Sequence, residues 1–286
     1  MEQKAFSRAV SALPSLTAVL RRIFAVVEDS KSSALDITRV LQLDPAITGK
    51  VLRLANSAYI GLPHTVSSMH NAVTLLGNRR IHSLILVSIL SSVKKNTCGD
   101  FPVISYWRHS VCTALVAEAI AKSLRRYDCA IDENELFSAA ILHDIGKLIA
   151  TTMEPESFVQ IYTQSIQSEV PFFKIEEGEV AHTFLGAYYA EHWGFPNDLK
   201  RCIQLHHEPL SDKKLALRTS IIHVADIMAH VLGFKIFPEE FTPLVQEGVL
   251  GLIGLPLERL KVIAQSVIED QKSIESFMDI VSEESD

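Results

Sequence analysis

Apolar residues recur at three- and four-residue intervals along nearly the whole chain, and strict alternation is scarce. That period places them on one face of a helix, so the chain is expected to fold as a bundle of amphipathic helices, in the all-α class. Leu16, Val19, Leu20, Ile23 and Val27 form one such stripe. Ser33-Ala34-Leu35-Asp36 opens a second helix, and Asp44-Pro45 a third, with Asp as cap and Pro at the first helical position. Gly61-Leu62-Pro63 breaks the pattern, and Gly77-Asn78 separates helices over 71–76 and 79–93. Further helices are expected over 107–125, 133–153, 155–168, 179–193, 198–206 and 215–232, punctuated by Pro196, Pro209, Pro238 and Pro256. The polar, Gly-containing run 94–100 suggests a boundary. The expected parts are therefore a helical part over 1–95, a bundle over 96–235, and C-terminal helices with an acidic tail over 236–286.

Hydrophobic residues make up 48% of the 286, which can build a sizeable core, and 21% are charged, too balanced for a disordered chain. The net charge of −7 opposes non-specific nucleic-acid binding. The basic pairs Arg79-Arg80 and Arg125-Arg126 read as solvated helix faces, so no nucleic-acid partner is expected. The most apolar stretch, 81–93, falls short of the roughly 20 residues of a membrane span. Residues 1–12 lack the apolar block of a signal peptide. A cytoplasmic chain with no membrane partner is expected. Cys98, Cys112, Cys129 and Cys202 form no C-x-x-C pair and read as reduced structural thiols.

The chemistry is expected where histidines meet aspartates. Of eleven histidines, His64, His70, His82, His192 and His230 read as core residues. The others that stand out fall in an order. His143-Asp144 lie in Ile141-Leu142-His143-Asp144-Ile145-Gly146-Lys147. Imidazole nitrogen and carboxylate oxygen both ligate divalent ions, and a carboxylate can bridge two of them. Lys147 is four residues after His143, on the same helix face, where a cation could meet a phosphate. His109 lies upstream; His182, the pair His206-His207 and Asp226 lie downstream, each in or at the end of a helical stretch. The candidate metal ligands are thus His109, His143, Asp144, His182, His206, His207 and Asp226. Asp144 and Lys147 are the candidate catalytic residues.

This ordered set resembles the HD superfamily, and the H-D-I-G-K and H-H-E segments resemble its HD-GYP phosphodiesterases. Leu13-Pro14-Ser15-Leu16, Leu43-Asp44-Pro45-Ala46, Leu52-Arg53-Leu54-Ala55-Asn56-Ser57-Ala58-Tyr59, Leu75-Leu76-Gly77 and Trp193-Gly194-Phe195-Pro196 resemble HDOD proteins more closely, over roughly 13–232. The resemblance implies an HD-phosphohydrolase-like helical scaffold and a role in bacterial signalling. It maps the seven candidates onto metal-ligand positions, although many HDOD proteins have lost catalysis. Pro209-Leu210-Ser211 stands where HD-GYP enzymes carry Gly-Tyr-Pro, which argues against cyclic di-GMP as substrate. Ser105 stands where trinuclear relatives carry a carboxylate, which limits the site to one or two ions of Fe, Mn, Zn or Ni. Two functions follow. One is a regulatory module that binds a signalling protein partner. The other is a metal-dependent phosphohydrolase acting on a nucleotide or another phosphoester.

Overall fold

The computed structural model describes residues 31–90 apart from 43 and 59, 101–124, and 131–282 apart from 132, with Ile23, Ala25 and Val26 before them. Most of the first stripe, the Leu13–Leu16 motif, the 94–100 boundary, Arg125-Arg126, Cys98, Cys129 and the tail beyond 282 lie outside the described residues. So does the side chain of His82.

All regular structure among the described residues is helical. The order is α1 (Ala34–Leu41), α2 (Pro45–Ala55), α3 (Met69–Leu90), α4 (Val103–Leu124), α5 (Glu133–Leu142), α6 (Ile145–Met153), α7 (Pro155–Ser168), α8 (His182–His192), α9 (Asn197–Leu205), α10 (Ala216–Val231), α11 (Val249–Ile253), α12 (Leu257–Glu269) and α13 (Gln271–Ser282). The starts are encoded locally. Ser33 Oγ accepts the Asp36 N–H while the Asp36 carboxylate accepts the Ser33 N–H, closing a capping box. Asp44 Oδ1 accepts the Ile47 N–H, with Pro45 pre-set for the first turn. α3 breaks at Gly77, whose φ of 77° lies in the left-handed region that glycine enters without steric cost.

α4 is the central helix, buried along most of its length and packed on α5, α10, α12 and α13. α1, α2 and α3 pack together, and α3 joins them to α5. α8 crosses α6 and pairs with α9. The core runs continuously from Ile37 and Leu54 through Trp107, Phe137 and Ile141 to Ile222, Phe277 and Val281.

Packing overrides several sequence expectations. His64, His70 and His192 are exposed, not core residues, because they fall on helix or loop faces that none of the described residues covers. Arg80 is not solvated: it is 8% exposed, its guanidinium lies 3.3 Å from Glu118 Oε2, and it sits 4.1 Å above the Phe137 ring. The α3–α5 contact pulls it inside. The expected helix over 133–153 is two helices, α5 and α6, broken at His143-Asp144. Residues Glu135–Met153 are long and apolar enough by composition to cross a membrane, yet that break interrupts them and most of the stretch is buried. Cys112 and Cys202 are free and buried, and burial pushes both thiols up to about 12.

Asp212 ties the turn before α10 to α9. Its buried carboxylate accepts the N–H groups of Lys214 and Leu215, the Thr219 hydroxyl and the Arg201 guanidinium. Burial raises its pKa, but the Arg201 guanidinium and the two amides outweigh that and hold it below the ordinary carboxylate value. Asp212→Ala is therefore expected to cost about 2–3 kcal/mol in urea unfolding at pH 7. A depressed folded-state pKa contributes stability above the ordinary carboxylate range and loses it as pH falls. The gap between the two proteins should close in acid; a gap that persists unchanged there would contradict the charge-based account.

Candidate metal centre

Because α5 ends at Leu142 and α6 begins at Ile145, adjacent His143 and Asp144 escape the 100° divergence of a continuous helix. Both turn into one buried space. α4 brings His109 to it, the start of α8 brings His182, the end of α9 brings His206 and His207, and α10 brings Asp226. All seven candidate ligands therefore converge, from segments up to 117 residues apart in sequence (109 to 226).

The two Asp144 oxygens face different histidines. Oδ2 lies 3.4 Å from His143 Nε2 and 3.7 Å from His109 Nε2. Oδ1 lies 3.2 Å from His182 Nε2 and 3.6 Å from His206 Nε2. Asp226 Oδ1 lies 3.2 Å from His109 Nε2 and 3.7 Å from His143 Nε2, and His207 Nε2 lies 3.2 Å from His182 Nε2.

The other ring nitrogens decide the tautomers. Nδ1–H of His109 donates to the Phe234 carbonyl, that of His143 to Ala140, and that of His206 to Ile203. That of His182 donates to the Glu176 carboxylate. Each ring so fixed turns its Nε2 inward, the usual arrangement behind a metal ligand. The Nε2 atoms are crowded together, that of His109 3.3 Å from that of His143 and that of His182 3.4 Å from that of His206. Asp144 Oδ1 and both Asp226 oxygens are buried without a hydrogen-bond donor. A buried cluster so rich in acceptors favours positive charge within it, as protons or as a cation. The donor set, imidazole and carboxylate, suits a divalent transition metal. Ligand atoms of His109, His143 and Asp144 lie within 4.8 Å of one another, and so do those of Asp144, His182, His206 and His207.

Protons supply part of that positive charge. Burial disfavours the His143 imidazolium, but Asp144 and Asp226 outweigh it and raise the group to about 9. His182 is raised to about 9 against the same burial by Glu176 and Asp144. Burial and neighbouring imidazoles push His206 down to about 4 and His207 well below its usual value. Burial alone would raise Asp144 and Asp226; Lys147 and His143 beside the first, and His230 and His109 beside the second, hold both well below the carboxylate range.

Lys147 lies at the centre but faces two carboxylates. Its Nζ is 2.9 Å from Asp144 Oδ2 and 3.4 Å from Glu240 Oε1, with the Phe172 ring centroid 5.6 Å away.

Four neighbours were not anticipated as parts of the site. His230, read as an ordinary core residue, is buried but belongs to it: Nδ1 donates to the Asp226 carbonyl and lies 3.1 Å from Asp226 Oδ1. Its four-residue spacing from Asp226 on α10 was the available signal. His223 donates from Nδ1 to the His206 carbonyl and accepts the Gln246 N–H, which fixes the turn that carries His206. Glu176 and Glu240 come from irregular segments, where no periodicity marks a residue as inward-facing.

The HDOD domain family matches residues 13–209. A curated, uncharacterized protein from Treponema pallidum (strain Nichols) is 23% identical over 197 residues, 68% of this chain and 37% of that protein. The chain thus spans little more than a third of that relative's length. Among solved structures, a proposed phosphohydrolase from Shewanella amazonensis SB2B is similar with a TM-score of 0.75 and 22% identity, over 97% of this chain and 98% of its own. A proposed signal transduction protein from Marinobacter aquaeolei VT8 is similar with a TM-score of 0.77 and 17% identity, over 98% of this chain and 65% of its own. These likenesses establish the helical fold.

Proposed function

The chain belongs to the HDOD family, and from that premise we propose that it is a regulatory signalling module, built round a buried divalent-metal centre, that acts through a protein partner. The observation that carries this reading is that Lys147 is closed off. The residue is 5% exposed, and its ammonium is already engaged by Asp144 and Glu240. A phosphate would have to displace the Glu240 carboxylate to reach it. His109, His143, Asp144, His182 and His206 are each fully buried. In this reading His109, His143, Asp144 and Asp226 hold one ion, and Asp144, His182, His206 and His207 hold a second. Ions held there would neutralise the carboxylates and tie α4, α8 and α10 to the α5–α6 turn and the end of α9.

Elemental analysis of the purified protein beside a His143→Ala/Asp144→Ala variant tests the metal. One to two equivalents of Fe, Mn, Zn or Ni are expected, absent from the variant; no metal in either, even after reconstitution, overturns the assignment. Native pull-down tests the partner, and recovery of none counts against the module.

A second reading, a phosphohydrolase acting on a nucleotide or other phosphoester, draws on the two-sided geometry of Asp144. A bridging carboxylate of this kind suits ions about 3.5–4 Å apart, a pair that activates water for phosphoester hydrolysis. Turnover of a phosphoester panel with Mn²⁺ or Fe²⁺, above that of the double variant, would move the conclusion there.

A further inference from the structure

The two halves of the centre are supported differently. His109 and Asp226 project from α4 and α10 and His143 from the turn between α5 and α6; all three are at most 1% exposed, and the Nδ1–H groups of both histidines end on main-chain carbonyls. The other half leans on the irregular segment between α7 and α8. Glu176 in that segment takes both free donors of His182: Oε1 accepts the main-chain N–H at 2.8 Å, and Oε2 accepts Nδ1–H in a short contact. The Glu176 side chain is 3% exposed. Phe173, from the same segment, stacks on the His207 ring with centroids 4.0 Å apart and planes 10° apart. His207 is also the one candidate ligand that is partly exposed.

We propose that Glu176 is a positioning residue for His182, and that the position formed by His182, His206 and His207 is the exchangeable half of the centre, filled and emptied past Phe173. This rests on the metal-centre reading above. A carboxylate behind an imidazole fixes the ring and raises its basicity, and losing such a partner weakens metal binding by about 10–100-fold. The carboxylate here also fixes the first N–H of α8, so ring and backbone are set together. Among the described residues Glu176 is the acceptor that both donors of His182 meet. Among the described residues Glu176 forms its hydrogen bonds and ion pair with His182 and none with His109, His143 or Asp226, so that half should be indifferent to it.

The test is zinc loading of the full chain, followed by zinc release to a chromophoric chelator, for the wild type, Glu176→Ala and Glu176→Gln, with a thermal melt of each. The wild type is expected to hold two equivalents and to release one faster. Glu176→Ala should keep the slow equivalent at an unchanged rate and bind the other 10–100-fold more weakly. Glu176→Gln should fall between, since its single oxygen can replace only one of the two carboxylate oxygens that meet the His182 donors. Two equivalents with unchanged release in Glu176→Ala would overturn the role of Glu176 and leave the centre standing. Parallel loss of both equivalents with a lowered melting temperature would reduce Glu176 to a structural support and overturn the proposal. A wild type that takes up no zinc would overturn the metal-centre reading itself.

Discussion

Gly146→Ala is expected to destabilise the protein by about 3 kcal/mol, at the upper end for overpacking, and to strip metal from the centre in the same preparation. A Cβ at Gly146 would lie 1.8 Å from the His182 carbonyl oxygen, 2.6 Å from its carbon and 2.8 Å from the Gly186 nitrogen. These are backbone atoms, so no side chain can rotate away and α6 and α8 must part. Gly186 is constrained from the other side, where a Cβ would lie 2.7 Å from Ile203 Cγ2. The crossing stands between Asp144, two residues before Gly146, and His182, whose Nε2 is 3.2 Å from the Asp144 carboxylate. Moving the helices apart moves that pair apart. Urea unfolding and elemental analysis read both effects. A variant within about 0.5 kcal/mol of wild type and with full metal would show that the crossing tolerates the change.

Removal of the divalent ion should lower the melting temperature by about 8–16 °C. Binding at a thousand times the dissociation constant stabilises a native state by about 4 kcal/mol, and each kcal/mol is about 2–4 °C in a chain of this size class. The physical source is the crowd of inward Nε2 atoms and donor-less carboxylate oxygens at Asp144 and Asp226. Melts with EDTA, without it, and after reloading measure the shift, with the His143→Ala/Asp144→Ala variant expected to be insensitive. The shift also carries a pH sign. His143 and His182 sit at about 9, raised above the ordinary imidazole value, so below that pH each favours its proton. An ion must displace those protons, and the metal-dependent shift should shrink as pH falls from 9 towards 6. Equal melting temperatures with and without EDTA across that range would remove the ion from the fold's stability.

The sequence by itself determined the helices and the identity of the seven converging residues. Helix starts at Ser33 and Asp44 and the break at Gly77 are decided within four residues, by side chains that meet backbone groups beside them. The seven histidines and aspartates were legible because their residue types and order carry the chemistry. Tertiary structure alone decided the rest. Nothing local says that the helix over 133–153 must break at His143-Asp144; the break is held because both side chains find partners on α4, α8, α9 and α10. Nor does composition say that Arg80 is buried against Glu118, or that His64, His70 and His192 are exposed. Glu176 and Glu240 reach the centre from irregular segments, where the direction of a side chain depends on distant packing and not on a period. Burial is a property of what lies opposite, and what lies opposite is set only when the helices pack.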